Sequence, residues 1–216
     1  MDSSILIITG GLVDEILLEA LVSEEEYSRI IVADGGLLAA DKLKLSIDHI
    51  LGDFDSISPK LLSKYETGTT PIKRFPSKKD KTDTEIALDL ALDYNPTRID
   101  IVGATGSRMD HTMANIGLLG NAINHKIDIK IIDKNNRIYL RNHNFIIKKD
   151  MQYGDYISLI PYTNQVEGLS LRGFKYPLDS VILKAGSSLG ISNEIIESEG
   201  IVEFNKGILM VFETKD

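Results

Sequence analysis

Residues 29–36 read Arg29-Ile30-Ile31-Val32-Ala33-Asp34-Gly35-Gly36. A continuous apolar run of this kind, rather than an alternating one, suits a parallel strand buried on both faces. It stops at an aspartate and two glycines, which favour a turn. The same pattern recurs to either side. Ile5-Leu6-Ile7-Ile8 ends in Thr9-Gly10-Gly11, and His49-Ile50-Leu51 runs into Gly52-Asp53. Ile99-Asp100-Ile101-Val102 runs into Gly103-Ala104-Thr105-Gly106. Helical signals fill the gaps. Ser58-Pro59 supplies an N-cap followed by proline at the first helical position. Thr82-Asp83-Thr84-Glu85 reads as a capping box, with Ile86, Ala87, Leu90 and Ala91 at helical spacing behind it. Asp110 is the expected N-cap of a helix whose apolar face holds Met113, Ile116, Leu119 and Ile123. Strands alternating with helices predict an α/β fold with a mostly parallel sheet.

After about Asp133 the pattern changes. Short runs at 137–140, 145–147, 156–160, 181–183, 195–198, 201–204 and 208–212 read as strands. Turn residues separate them at Tyr153-Gly154-Asp155, Glu167-Gly168, Glu199-Gly200 and Asn205-Lys206-Gly207. Short strands at regular spacing predict an all-β C-terminal sandwich. The expected domains are therefore 1–133, α/β, and 134–216, β-sandwich.

Composition narrows the function. The chain has 216 residues, enough to bury a substantial core. Its net charge of −8 argues against a general nucleic-acid binder, which would show a basic face. It suits a small cationic substrate. No run approaches the roughly 18 apolar residues that a membrane span requires. The segment Met1-Asp2-Ser3-Ser4 lacks the basic region of a signal peptide. With no cysteine there is neither a thiolate nucleophile nor a disulfide framework. A cytoplasmic protein is expected.

Four segments concentrate the chemistry, each where a predicted strand gives way to a loop or helix. In an open α/β sheet these points share the carboxyl edge, where ligands bind. Ala33-Asp34-Gly35-Gly36 is the smallest of them. In Gly52-Asp53-Phe54-Asp55-Ser56 the two aspartates are one residue apart, so an extended backbone points both carboxylates the same way. Such a pair can share a divalent cation, or can be a solvated turn. Lys79-Asp80-Lys81-Thr82-Asp83 is a basic loop entering a helix N-terminus, a ready phosphate site. Thr82 and Asp83 also have a full structural explanation, as cap and first-turn acid. Gly103-Ala104-Thr105-Gly106-Ser107-Arg108 is a small-residue turn suited to cradling phosphate, with Arg108 as a clamp. Asp110 and His111 follow.

Taken in order, Ala-Asp-Gly-Gly, Gly-Asp-Phe-Asp-Ser, Lys-Asp-x-Thr-Asp-x-Glu and Gly-x-x-Gly-x-Arg-x-Asp-His form a set that resembles the thiamine pyrophosphokinase family. Gly190-Ile191-Ser192-Asn193-Glu194 resembles that family's C-terminal Ser-Asn motif. The resemblance implies an N-terminal α/β domain, a C-terminal β-sandwich and a homodimer. It implies transfer of pyrophosphate from ATP to thiamine, giving thiamine diphosphate and AMP. Asp53, Asp55 and Asp83 would then hold Mg²⁺ around the polyphosphate, and Asp110 would lie near the attacking hydroxyl or the metal cluster, where a carboxylate can accept the hydroxyl proton and so is the candidate catalytic base. Asp34, Gly35, Gly36, Lys79, Lys81, Thr82, Gly103, Thr105, Gly106 and Arg108 would contact the nucleotide or its phosphates. Ser192 and Asn193 would seat thiamine across the dimer interface. The chain has no tryptophan, so any aromatic packing on thiamine must come from a Phe or Tyr.

Two rivals come from other classes. One is an Asp-x-Asp phosphatase with Asp53 as nucleophile and Asp55 as acid/base. That reading leaves the Lys-Asp-x-Thr-Asp segment without a role. The other is a non-catalytic nucleotide sensor, which leaves the carboxylates without a purpose.

Overall fold

The computed structural model describes residues 3–55, 57–76, 80–123, 125 and 127–216. The chain divides into two compact units, Met1–Lys134 and Asn135–Asp216.

The first unit alternates strands and helices. Its strands are β1 (Ser4–Ile8), β2 (Arg29–Ala33), β3 (His49–Gly52), β4 (Ile72–Arg74), β5 (Arg98–Val102) and β6 (Asp128–Ile132). Its helices are α1 (Glu15–Glu24), α2 (Gly36–Lys42), α3 (Pro59–Glu66), α4 (Asp83–Asp93) and α5 (Met109–Leu118). All of the strands pair in parallel, in the order β4-β3-β2-β1-β5-β6. β1 is central: Ile7 pairs with Ile31 on one side and Ile101 on the other. Ile5, Leu6, Ile7 and Ile8 are all fully buried, which is why that strand reads as unbroken hydrophobe. Chain order runs outward in opposite directions from β1 and β5. A crevice opens between two strands that part in this way, at their carboxyl ends.

The N-cap expectations hold for two helices. Ser58 Oγ accepts from Leu61 N at 3.3 Å ahead of Pro59. Thr82 Oγ1 accepts from Glu85 N at 3.2 Å. The third expectation fails. The N-cap of α5 is Arg108, with no side-chain cap bond, and Asp110 lies in the first turn. The buried face of α5 is also rotated from the predicted one. Thr112, Asn115 and Ile116 are buried, whereas Met113 is 58% exposed. The cause is polar: Asn115 Nδ2 donates to the Ala104 carbonyl at 2.8 Å in the interior. An apolar-spacing rule cannot detect an inward-facing asparagine. In α4 the buried stripe is Thr84, Ala87, Leu88 and Ala91, with Ile86 and Leu90 half-buried beside it.

The second unit is a β-sandwich. Its strands are β7 (Asn136–Arg141), β8 (Phe145–Lys148), β9 (Tyr156–Pro161), β10 (Gln165–Arg172), β11 (Leu178–Lys184), β12 (Glu199–Glu203) and β13 (Leu209–Thr214). One antiparallel layer runs β7-β13-β9 and the other β11-β10-β12-β8. Between them lies a core that includes Tyr139, Leu159, Leu169, Phe174, Val202 and Val211. Two turns predicted here are strand instead. Glu167-Gly168 lies inside β10, where Gly168 takes φ +71° at a register shift between Val166 and Leu169. A bulge absorbs the glycine without ending the strand. Glu199-Gly200 opens β12. The strand predicted at 195–198 shrinks to a single bridge between Phe174 and Ile195. No described helix is long and apolar enough to cross a membrane.

Candidate active site

A cavity of about 780 Å³ lies in the first unit. Thr9, Gly10, Gly11 and Leu12, which follow β1, line it, as do residues 103–108, which follow β5. It therefore occupies the point where the strand order reverses. The two loops are stitched together across it: Gly11 N donates to Gly103 O and Leu12 N to Thr105 O, both at 2.8 Å. That approach leaves no room for side chains. A Cβ on Gly11 would overlap the carbonyls of Gly103 and Thr105, and one on Gly103 the Thr9 carbonyl. Gly103 also takes φ +74°, in the left-handed region that favours glycine. Asn115 and Asp133 pin the same loop from behind. Asn115 holds the Ala104 carbonyl, and Asp133 Oδ2 accepts from Thr105 Oγ1 at 2.8 Å.

The same cavity is lined by Asp34, Asp53, Asp80, Asp83 and the start of α4. Thr82 and Lys81 also line the cavity. Lys81 is drawn along α4, with Nζ 2.6 Å from Asp89 Oδ2 and 3.4 Å from Glu85 Oε1. Asp34 takes φ +48° and accepts the Phe54 N–H on Oδ1 at 3.2 Å, so it fixes the loop that carries Asp53. Gly35 caps α2, and Gly36 is buried against the Ile8 carbonyl; neither lines the cavity. Lys79 lies outside the described residues.

Asp53 and Asp55 do not point the same way. Phe54, between them, takes φ +64° and is 5% exposed, so the backbone is not extended there. Asp53 lines the cavity, while Asp55 is exposed and absent from its lining. The Asp55 N–H instead donates to Asp53 Oδ1 at 3.0 Å. The phosphatase reading needs both carboxylates on one substrate and loses its basis here.

Arg108 lines the cavity and grips Asp110 with two bonds, Nε to Oδ1 at 3.2 Å and a terminal nitrogen to Oδ2 at 2.6 Å. That guanidinium holds the Asp110 carboxyl below the usual carboxylate range. Asp110 is exposed and does not line the cavity, whereas His111 does. Thr9, Gly10, Gly11, Thr84 and Asn115 line the cavity without belonging to the motifs that mark ligand residues in the sequence. The Thr9-Gly10-Gly11 strand end was the visible signal for the first three.

In the second unit, Asn193 is 5% exposed and both ends of its amide are hydrogen-bonded within the unit. Oδ1 accepts from Tyr176 N at 3.0 Å and Glu194 N at 2.9 Å, and Nδ2 donates to Tyr176 O at 2.8 Å. It braces the loop rather than offering its amide outward. Ser192 beside it is exposed at φ +52°, with its N–H on Ser158 Oγ at 2.9 Å.

Carboxylate oxygens suit a hard cation such as Mg²⁺. Among the described residues, no three acidic or histidine side chains come close enough to enclose an ion by themselves. Mg²⁺ commonly takes one or two carboxylates, several waters and substrate phosphate oxygens. The donor set thus fits an ion arriving with a polyphosphate.

Residues 20–131 match the thiamin pyrophosphokinase catalytic domain, and residues 142–209 match that family's vitamin B1 binding domain. The thiamine pyrophosphokinase of Bacillus subtilis (strain 168) is 37% identical over 193 residues, 89% of this chain and 90% of its own. The crystal structure of thiamine pyrophosphokinase from Bacillus subtilis superposes with a TM-score of 0.89 at 35% identity, covering 99% of this chain and 100% of its own. That of Geobacillus thermodenitrificans gives 0.85 at 32%, covering 99% and 98%. Fold, crevice and relatives together define an enzyme of the kinase class. The chain belongs to the thiamine pyrophosphokinase family.

Proposed function

We propose that this chain transfers the pyrophosphoryl group of ATP to the hydroxyl of thiamine, yielding thiamine diphosphate and AMP. The observation that carries the reading is the crevice where the strand order reverses, lined by both carboxylates and glycine-rich backbone, in a chain of this family. The thiamine hydroxyl oxygen bonds to the β-phosphorus of ATP. The bond from that phosphorus to the oxygen bridging it to the α-phosphate breaks, AMP departs with the electron pair, and the hydroxyl proton passes to solvent water. Such a transfer asks the protein mainly for positioning and charge stabilisation.

Asp53 and Asp83 would hold Mg²⁺, which when bound neutralises charge on the polyphosphate. Asp55 supports Asp53 through its N–H. The N-terminus of α4, with Thr82 as cap, favours an anion beside it. Arg108 and the backbone of Gly103, Thr105 and Gly106 hold phosphate oxygens. Lys81 and Lys79 add positive charge at the loop. Asp34 sets the Asp53 loop rather than touching the nucleotide. Asp110 aims Arg108 rather than abstracting the proton, because a carboxylate stabilised by a guanidinium is a weak base. The enzyme is proposed to work in the cytoplasm as a homodimer, with Ser192, on the loop braced by Asn193, supplying the thiamine side.

Incubation with ATP, Mg²⁺ and thiamine should release AMP; ADP would overturn the assignment. Asp110→Asn should melt at the wild-type temperature yet turn over more slowly, because Arg108 loses its charged partner. Unchanged turnover would remove Asp110 from the site. Mixing an inactive Asp83→Asn chain with an inactive Asn193→Ala chain should restore part of the activity, since one composite site in an isologous dimer is then intact. Mixed dimers without activity would put each site within one chain.

A further inference from the structure

Thr9 follows β1 and Thr84 is the second residue of α4, 75 residues away in sequence. Their hydroxyls meet at 2.8 Å. The two residues are 5% and 7% exposed, and both line the cavity. Neither belongs to the residues assigned to metal, phosphate or thiamine.

A buried hydroxyl is costly unless it is bonded, and an apolar side chain of the same shape would fill the space without that cost. Four isoleucine and leucine residues immediately before Thr9 are fully buried in just that way. Packing therefore does not require a hydroxyl at either position. What a hydroxyl pair adds is direction, because it fixes one residue of a helix against one residue of a strand end.

Thr9 is itself tightly held. Its N–H donates to Val102 O at 2.9 Å, and Gly103 packs directly on its carbonyl. Gly36 sits so near that an added Cβ would lie 3.1 Å from the Thr9 nitrogen. The start of α4 is less constrained, with Lys81 and Thr82 exposed and Asp83 half-buried ahead of the buried Thr84.

We propose that the Thr9–Thr84 hydroxyl pair is a positioning device for the reaction. It locks the first turn of α4, and with it Thr82 and Asp83, onto the buried, hydrogen-bonded junction of β1 and β5. The inference rests on the proposed transfer for its kinetic consequence, but the lock can be observed without turnover.

The test combines Thr9→Val, Thr84→Val, the double variant and the two serine variants. Turnover, KM for thiamine, melting temperature and amide exchange over residues 82–93 are measured for each. Each single valine variant should lower kcat by about tenfold, the ratio one lost hydrogen bond converts to, with KM for thiamine unchanged. Exchange of the Glu85 and Ile86 amides should quicken by a similar factor. The serine variants should restore both. The double variant should fall no further than a single in kcat, because the same bond is lost, while regaining melting temperature as an apolar pair. Losses that multiply in the double variant would mean each hydroxyl acts separately, and would overturn the pairing. A lower melting temperature with normal kcat and normal exchange would reduce the pair to ordinary core structure. If the wild-type enzyme forms no AMP, the proposed reaction fails, and the exchange measurement still decides the lock. Should one valine variant not fold, the other single valine variant set against the double variant supplies the same comparison.

Discussion

Asp83→Asn should lower turnover with ATP and thiamine by on the order of 10²–10³, the typical cost of removing one preorganised electrostatic group. The substitution keeps the size of the side chain and its place in the first turn of α4, and Thr82 continues to cap the helix. Asp83, Asp34, Asp53 and Asp80 line one cavity, so removing a charge eases their mutual repulsion while giving up a first-turn acid's attraction to the helix dipole, and the melting temperature should change little. Asp53→Asn should behave alike, with the loss partly relieved by raised Mg²⁺. Steady-state kinetics across a Mg²⁺ titration checks both variants. Near-normal turnover at low Mg²⁺ would take the residue out of the reaction.

Gly103→Ala should cripple the enzyme by a different route. The new Cβ would overlap the Thr9 carbonyl and crowd Val13, at a φ of +74° that an L side chain resists. A left-handed backbone costs about 1–2 kcal/mol and overpacking about 1–3 kcal/mol, so a loss of about 2–5 kcal/mol is expected. Chemical denaturation measures it directly. Because the clash pushes apart the stitched loops after β1 and β5, turnover should fall even where the variant remains folded. Gly106→Ala serves as the control. Its nearest neighbour to an added Cβ is Leu12 N at 3.5 Å, an ordinary contact, so stability should change little. A Gly103→Ala protein as stable as Gly106→Ala would refute the close-packing account.

These two predictions differ in how far the sequence foretold them. The parallel strands were legible because burial on both faces writes itself as unbroken hydrophobe, as in Ile5–Ile8. The caps at Ser58 and Thr82 were legible because a hydroxyl before a helix has a local job. Features set by distant partners were not. Asp53 and Asp55 look paired until Phe54 is seen in a left-handed conformation, held by a bond to Asp34 twenty residues away. The face of α5 follows Asn115, whose inward turn depends on the Ala104 carbonyl. Asp110 resembles a cap, yet it pairs with Arg108 in the first turn. Gly168 resembles a turn, yet β10 carries it as a bulge. Asn193 belongs to a recognised motif, but its spacing does not reveal that its amide is spent on Tyr176 and Glu194.

The strand arrangement of the second unit also bears on how the protein is made. β13, formed by residues 209–214, lies between β7 and β9 and hydrogen-bonds to both. Until Thr214 has left the ribosome, those two strands have no bridge between them, and their facing edges stay open to other chains. β1, in contrast, finds β2 within some two dozen residues, and β5 once about 100 residues have been made. The first unit can therefore close its sheet during synthesis, as domains generally do from the N-terminal side. The second must wait for the final strand. Nascent chains that stop just short of residue 209 carry a finished first unit joined to a sandwich in which one layer lacks its middle strand, leaving the edges of β7 and β9 unpaired with β13.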